Sequence, residues 1–329
     1  MSVYVCLLWL AGLGKSPQAS SKETKDGVRR QLASLQKETG LTLAGFPSNY
    51  FLHIAFKDRS VSIERTSLPG SRTAEGTLSP DGSEVAFRWS TPSLPEPENE
   101  ILAVVRRDGT GIREYPQIRM LATPCWSPDK SRIAVFAVVS KQGEPYRTGL
   151  LLLDLNSGVL EEIFPGGFVA SECWSPDGKQ LAYSARKSSE RNGTDSRKNW
   201  REVYTQIGIY DIAQKSWHEI SQGNEPVWSP DGKWIAVLDG DHYYAIQPSG
   251  AERKVLVQAK DLWGNLAWSP DSRFIAYAVS HVDFMNPSGV SRIHVRRLAD
   301  AADDWVADKL MLGTTVRWIK IGNGVGSPR

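Results

Sequence analysis

Cysteine is scarce in this chain. Only Cys6, Cys125 and Cys173 occur in 329 residues, too few and too far apart for a disulfide framework or a paired-cysteine metal site, so no redox compartment follows from them. A surplus of one charge is also lacking. The 39 Lys and Arg stand against 37 Asp and Glu, a formal balance of +2; a surface built to neutralise many phosphates is excluded, and nucleic acid is not expected as a partner. The apolar run Val3 to Leu13 is too short to span a bilayer and has the length of a signal-peptide core, yet nothing basic precedes it. A signal sequence or anchor and a buried or interfacial strand both fit it, so membrane association stays open. Cys6 follows Val5 rather than the small residue that a lipoprotein cleavage site wants.

The signatures of common catalytic machinery are missing too. There is no GxSxG for a hydrolase nucleophile elbow. The five histidines, His53, His218, His242, His281 and His294, form no HxH or HExxH pair. Gly12 to Ser16 reads GLGKS but lacks the first glycine of a phosphate-binding loop and precedes no clear helix, so nucleotide hydrolysis is set aside. No cofactor is implied.

Tryptophan, by contrast, is plentiful, with 12 copies, and large aromatics that recur usually mark a repeated packing position. Here they mark a repeat: TLSPDGSEVAF from Thr77, CWSPDKSRIAVF from Cys125, CWSPDGKQLAYS from Cys173, VWSPDGKWIAVL from Val227 and AWSPDSRFIAYA from Ala267. Their aspartates, Asp81, Asp129, Asp177, Asp231 and Asp271, are spaced 48, 48, 54 and 40 residues apart, the period of a four-stranded propeller blade. Each copy reads as a strand ending at Trp126, Trp174, Trp228 or Trp268, a Ser-Pro-Asp-Gly reversal, and an alternating strand. Pro presets φ for the turn, Ser and Asp bond nearby backbone N–H groups, and Gly accepts the closing conformation. Lys130 and Ser272 replace that Gly, which predicts strained or altered turns. A second strand pair follows each hairpin, as in Leu150 to Leu155 with Val159 to Phe164, so each repeat is a meander of strands A to D.

This pattern resembles the TolB-like β-propeller repeat, a WD-repeat-like family found also in the propellers of prolyl oligopeptidase-type peptidases. The resemblance covers residues 50–329 and implies an all-β fold of six four-stranded antiparallel blades, with residues 1–49 as an N-terminal segment holding a short amphipathic helix over 27–39. Trp318 in Thr314 to Ile319 marks a sixth A strand whose turn is missing. Strands at Tyr50 to Phe56 and Ser60 to Leu68 would join that last blade and close the ring.

The long insertions all fall between strands B and C. They carry Trp89, Tyr146, Trp200, His281 and Phe284, with Arg197, Lys198 and Arg201 beside Trp200; loops that vary on a fixed frame are where recognition is sought. These residues are the candidate binding site for a protein or peptide, with a glycan as a further possibility. The resemblance implies a binding or scaffold protein of the bacterial periplasm or envelope, monomeric and without catalysis. The alternatives are a lyase or hydrolase with a site at the channel mouth drawing on His281, Asp283, Asp241 and His242, or a peptidase propeller without its catalytic half. The repeated aspartates are read as turn residues rather than metal ligands.

Overall fold

The computed structural model describes residue 30 and residues 41–47, 53–57, 60–64, 76–90, 100–106, 109–139, 147–165, 168–186, 206–260, 262–280, 291–301, 303–310 and 314–320. Every element among them longer than that single residue 30 is a β-strand. Five antiparallel meanders carry the five sequence copies. Repeat one is β4 (Gly76–Leu78), β5 (Glu84–Ser90), β6 (Glu100–Arg106) and β7 (Arg113–Met120). Repeat two is β8 (Cys125–Trp126), β9 (Arg132–Val138), β10 (Thr148–Asp154) and β11 (Leu160–Pro165). Repeat three is β12 (Phe168–Trp174), β13 (Gln180–Arg186), β14 (Gln206–Asp211) and β15 (Ser216–Gln222). Repeat four is β16 (Asn224–Trp228), β17 (Ile235–Asp239), β18 (His242–Ile246) and β19 (Arg253–Gln258). Repeat five is β20 (Leu262–Trp268), β21 (Phe274–Ser280), β22 (Ser291–Arg297) and β23 (Asp303–Leu310).

Two further pairs flank the repeats. β2 (His53–Lys57) pairs with β3 (Ser60–Glu64), as the sequence suggested. β24 (Thr314–Lys320), the expected sixth A strand, pairs antiparallel with β1 (Leu41–Pro47), Trp318 opposite Leu43. That partner was not foreseen: the strand lies ahead of residue 50, where the sequence reading began the repeats. The expected helix over 27–39 lies outside the described residues apart from Arg30. The described residues fall into two compact units, one within Phe51–Trp228 and Ile246–Arg253, the other within Tyr4–Tyr50, Ser229–Ala245 and Lys254–Arg329.

In the first unit the strands are apolar on both faces because each sheet is sandwiched. In β9, Ile133, Val135 and Ala137 pack with Leu102, Val104 and Ile118 of repeat one. Ala134 and Phe136 face the other way, toward Leu181 and Tyr183 of repeat three. A strand buried on two sides reads as a continuous apolar run rather than an alternation. The outer strand β15 is mostly exposed, so the meanders carry their polar residues on their rims. Tryptophans tie neighbouring repeats: Trp126 Nε1 donates to the Thr77 carbonyl at 3.1 Å and Trp174 Nε1 to the Cys125 carbonyl at 3.2 Å. Leu78 holds the equivalent position in repeat one and is 46% exposed.

Tyr183 and Gly208 face each other in register across β13 and β14. A Cβ on Gly208 would fall 2.7 Å from the Tyr183 ring, so glycine is required by the close approach. The ring also meets Phe164 with centroids 5.0 Å apart. Its hydroxyl is buried with no hydrogen-bond partner among the described residues, and burial pushes its pKa well above the ordinary tyrosine value. Gly208→Ala is therefore expected to cost about 1–3 kcal/mol through overpacking. Tyr183→Phe, which removes an unsatisfied buried group, is expected to leave stability unchanged or raise it by about 1 kcal/mol. Urea denaturation of the two variants checks both signs.

Candidate functional site

The A–B turns define one rim of the repeats, and their chemistry is the same five times. The serine hydroxyl donates to its aspartate Oδ1 at 2.8, 2.6, 2.7, 2.7 and 2.6 Å in repeats one to five. The same oxygen accepts the backbone N–H two residues on, at 3.1, 3.0, 3.1, 3.2 and 3.1 Å. The serine Oγ in turn accepts the next backbone N–H, from Glu84, Arg132, Gln180, Trp234 and Phe274. Ser79, Ser127, Ser175, Ser229 and Ser269 are all buried. Asp81, Asp129, Asp177, Asp231 and Asp271 are thus engaged in their own turns. Among the described residues no group of three or more His, Cys, Asp or Glu could hold a metal ion.

The fourth turn position is left-handed throughout. Gly82, Gly178 and Gly232 have φ near 70°, and Lys130 and Ser272 adopt φ of 56° and 57°. The predicted strain is there, since a side chain in this region costs about 1 kcal/mol. Both exceptions reach back to the preceding turn. Lys130 Nζ lies 2.5 Å from Asp81 Oδ2, and Ser272 Oγ accepts the Asp231 N–H at 3.2 Å.

Of the loop residues singled out in the sequence, Trp89 is described. It sits on β5 opposite Ile101, half-buried, its ring edge-on to Phe87 at 5.9 Å, which makes it part of the packing of repeat one. Tyr146, Arg197, Lys198, Trp200, Arg201, His281 and Phe284 lie outside the described residues, as does the Trp318 side chain. The other strand histidines have neighbours of their own: His242 stacks on Tyr244 at 5.4 Å and His294 on Tyr277 at 5.3 Å. Cys125 and Cys173 are unbridged and half-buried.

The rim also holds grooves between successive turns that the sequence reading did not single out. One, of about 690 Å³, is walled by Trp234, Lys254, Arg273 and Arg297 above the buried Trp268. Its counterpart between repeats one and two, lined by Glu84, Arg113 and Lys130, is about 210 Å³. The signal was present in the copies, at the positions where they depart from their shared pattern.

Neither a family model nor a curated protein matches the chain. Solved structures do. A TolB from Acinetobacter baumannii superposes with a TM-score of 0.53 at 15% identity, covering 91% of this chain and 73% of that one. The chain has the TolB-like β-propeller fold. A TolB-type protein from Agrobacterium tumefaciens matches with a TM-score of 0.50 at 15% identity over 75% of this chain and 90% of the other. An oligogalacturonate lyase in complex with manganese matches with 0.53 at 14% identity, over 82% and 73%. The TolB-like fold is therefore shared by catalytic and other proteins, and function has to be argued from sites.

The turn aspartates make the fold sensitive to acid. Asp81 is held far below the usual carboxylate range, first by the Lys130 ammonium and then by Ser83 and Ser79. The Ser127 hydroxyl lowers Asp129 and the Ser175 hydroxyl lowers Asp177. At Asp271 burial pushes upward, but hydrogen bonds from Ser269 and Arg273 outweigh it and the net shift is downward. A carboxylate whose folded pKa lies below its unfolded one stabilises fully above the unfolded value and loses that contribution as pH falls toward the folded value. Melting temperature is expected to be nearly flat from pH 8 to about 5 and to fall below about pH 4. Thermal melts of Asp177→Asn should give a shallower acid limb than the parent; equal slopes would remove this turn from the account.

Proposed function

We propose that the chain is a non-catalytic binding or scaffold propeller of six blades that engages a protein or peptide through its B–C loops. The observation that carries this reading is the internal use of the repeat's polar chemistry. Serine and aspartate of all five turns bond one another and the turn backbone, so recognition falls to the segments that are not repeated. The sixth blade begins with β24 paired to β1. In this arrangement the missing A–B hairpin of the last copy is explained, since its B strand comes from Leu41–Pro47 rather than from beyond Lys320.

TolB-like neighbours support a periplasmic or envelope setting, and the chain is read as a monomer without a cofactor. The loop over 186–201, with six basic and two acidic residues, suits an acidic protein surface, with a glycan next in line. A second reading is a lyase or hydrolase at the channel mouth, favoured by the likeness to an oligogalacturonate lyase.

A crosslinking pull-down with the chain as bait, beside a variant in which 187–200 are replaced by a short Gly-Ser linker, separates these readings. A protein captured by the intact chain and lost with the variant is the expected outcome. Release of unsaturated oligosaccharide from polyuronate by the purified chain, abolished by His281→Ala, would overturn it in favour of the enzyme.

A further inference from the structure

The groove beside the fifth turn and the pocket beside the second occupy the same place in the repeat, so one serves as a control for the other. Backbone bonds fix the equivalence: Leu155 N–H donates to the Ser131 carbonyl and Leu298 N–H to the Arg273 carbonyl. Beside the second turn, Lys130 stretches across to Asp81, and Glu84 is paired with Arg113 at 2.8 Å. Long side chains bonded to one another fill the space, and about 210 Å³ is left.

Beside the fifth turn three positions change. Lys130 is replaced by Ser272, which holds the preceding turn through its short Oγ and leaves the mouth open. Glu84 is replaced by Trp234, and the cation on β19, Lys254, forms no ion pair among the described residues and rests 3.7 Å from the indole centroid. Asp154, which in repeat two accepts the N–H groups of Asn156 and Ser157, is replaced by Arg297, held by Asp300 through Nε at 2.8 Å. The result is a groove of about 690 Å³, within the range of small-ligand sites. Ser272 enlarges the cleft, Trp234 adds apolar surface, and the loss of the Glu84 and Asp154 charges with the gain of Arg297 outweighs the loss of the Lys130 charge.

We propose that this groove binds a saccharide carrying one carboxylate, a uronic acid unit, with the carboxylate on Lys254 and the sugar ring against Trp234. Lys254 supplies the charge-assisted contact, its ammonium set over the Trp234 indole rather than in an ion pair among the described residues. Its rest over the indole is a weak contact at an exposed site, readily exchanged for an anion. Once the ammonium has turned to the ligand, the indole offers an apolar face to pyranose C–H groups. Arg297 bonded to Asp300, with Arg273 and Asp231 also on the walls, gives the groove both donors and acceptors, which matches hydroxyls that both donate and accept. A densely acidic peptide would use the donors but be repelled by the two carboxylates.

The test is titration calorimetry of the full chain with a glucuronate-containing disaccharide, the matching neutral disaccharide and an acidic tripeptide. The uronate is expected to bind at least about tenfold more tightly than either comparison. Lys254→Met, which keeps the stem and removes the charge, should cost about tenfold in uronate affinity and little in neutral sugar affinity. Ser272→Lys, which restores the side chain found beside the second turn, should abolish binding while the melting temperature is retained. Uronate and neutral sugar binding within about twofold of each other, tighter binding of the tripeptide, no uronate heat at about 10 mM, or undiminished binding by Ser272→Lys would each overturn the proposal. The site is independent of the B–C loops, so loss of the pull-down partner would leave it standing.

Discussion

The buried serine hydroxyl of the A–B turn is the interaction on which the rest of the architecture depends. It donates to the aspartate beyond the proline and accepts the first N–H of strand B, so one oxygen joins the end of the reversal to the start of the next strand. The register of B against A is set there, and B carries the apolar residues that both neighbouring sheets need. A one-residue slip would turn Leu181 and Tyr183 toward the wrong sheet. The turn thus decides which face each core residue meets, although it contributes little buried area itself.

Two kinds of tie then join the repeats. Buried apolar faces supply most of the association, at roughly 25 cal/mol per Å² removed from water, but they have no direction. The indole N–H bonds of Trp126 and Trp174 to the preceding repeat add direction. So do the reach of Lys130 to Asp81 and of the Asp231 N–H to Ser272 on the exposed rim. The Lys130 pair is about half exposed, and ion pairs in water contribute little to stability. Its presence is better understood as filling a groove and fixing one turn against another than as a source of stability.

Much of the fold was legible because turn chemistry and apolar runs are local properties. Five copies of one reversal placed the A and B strands, and the second strand pair read at Leu150 to Leu155 and Val159 to Phe164 lies within two residues of Thr148–Asp154 and Leu160–Pro165. β1 was not legible. LTLAGFP has neither a turn motif nor a long alternating pattern, and its partner Thr314–Lys320 is far away in sequence; pairing across that distance leaves no local mark. The groove was missed for a different reason. Trp234 and Arg297 read as ordinary members of strand and turn until each is set against its counterpart, Glu84 and Asp154.

In a repeat protein the shared residues answer to the fold and the departures from them carry the specific information. Each copy must bury a serine, close a turn and fill two sheet faces, and those demands account for Ser, Pro, Asp and the aliphatic run without reference to any ligand. A position that abandons the pattern gives up part of that local stabilisation. Lys130 regains it through Asp81, and Ser272 through the Asp231 N–H. Trp234 exchanges an ion pair for an indole with a cation resting on it, and Arg297 takes the place of a turn-holding aspartate and pairs with Asp300. Both exchanges lie beside the one small residue that opens the groove, so the departures from the repeat gather in a single cleft, which is where specific recognition is to be sought.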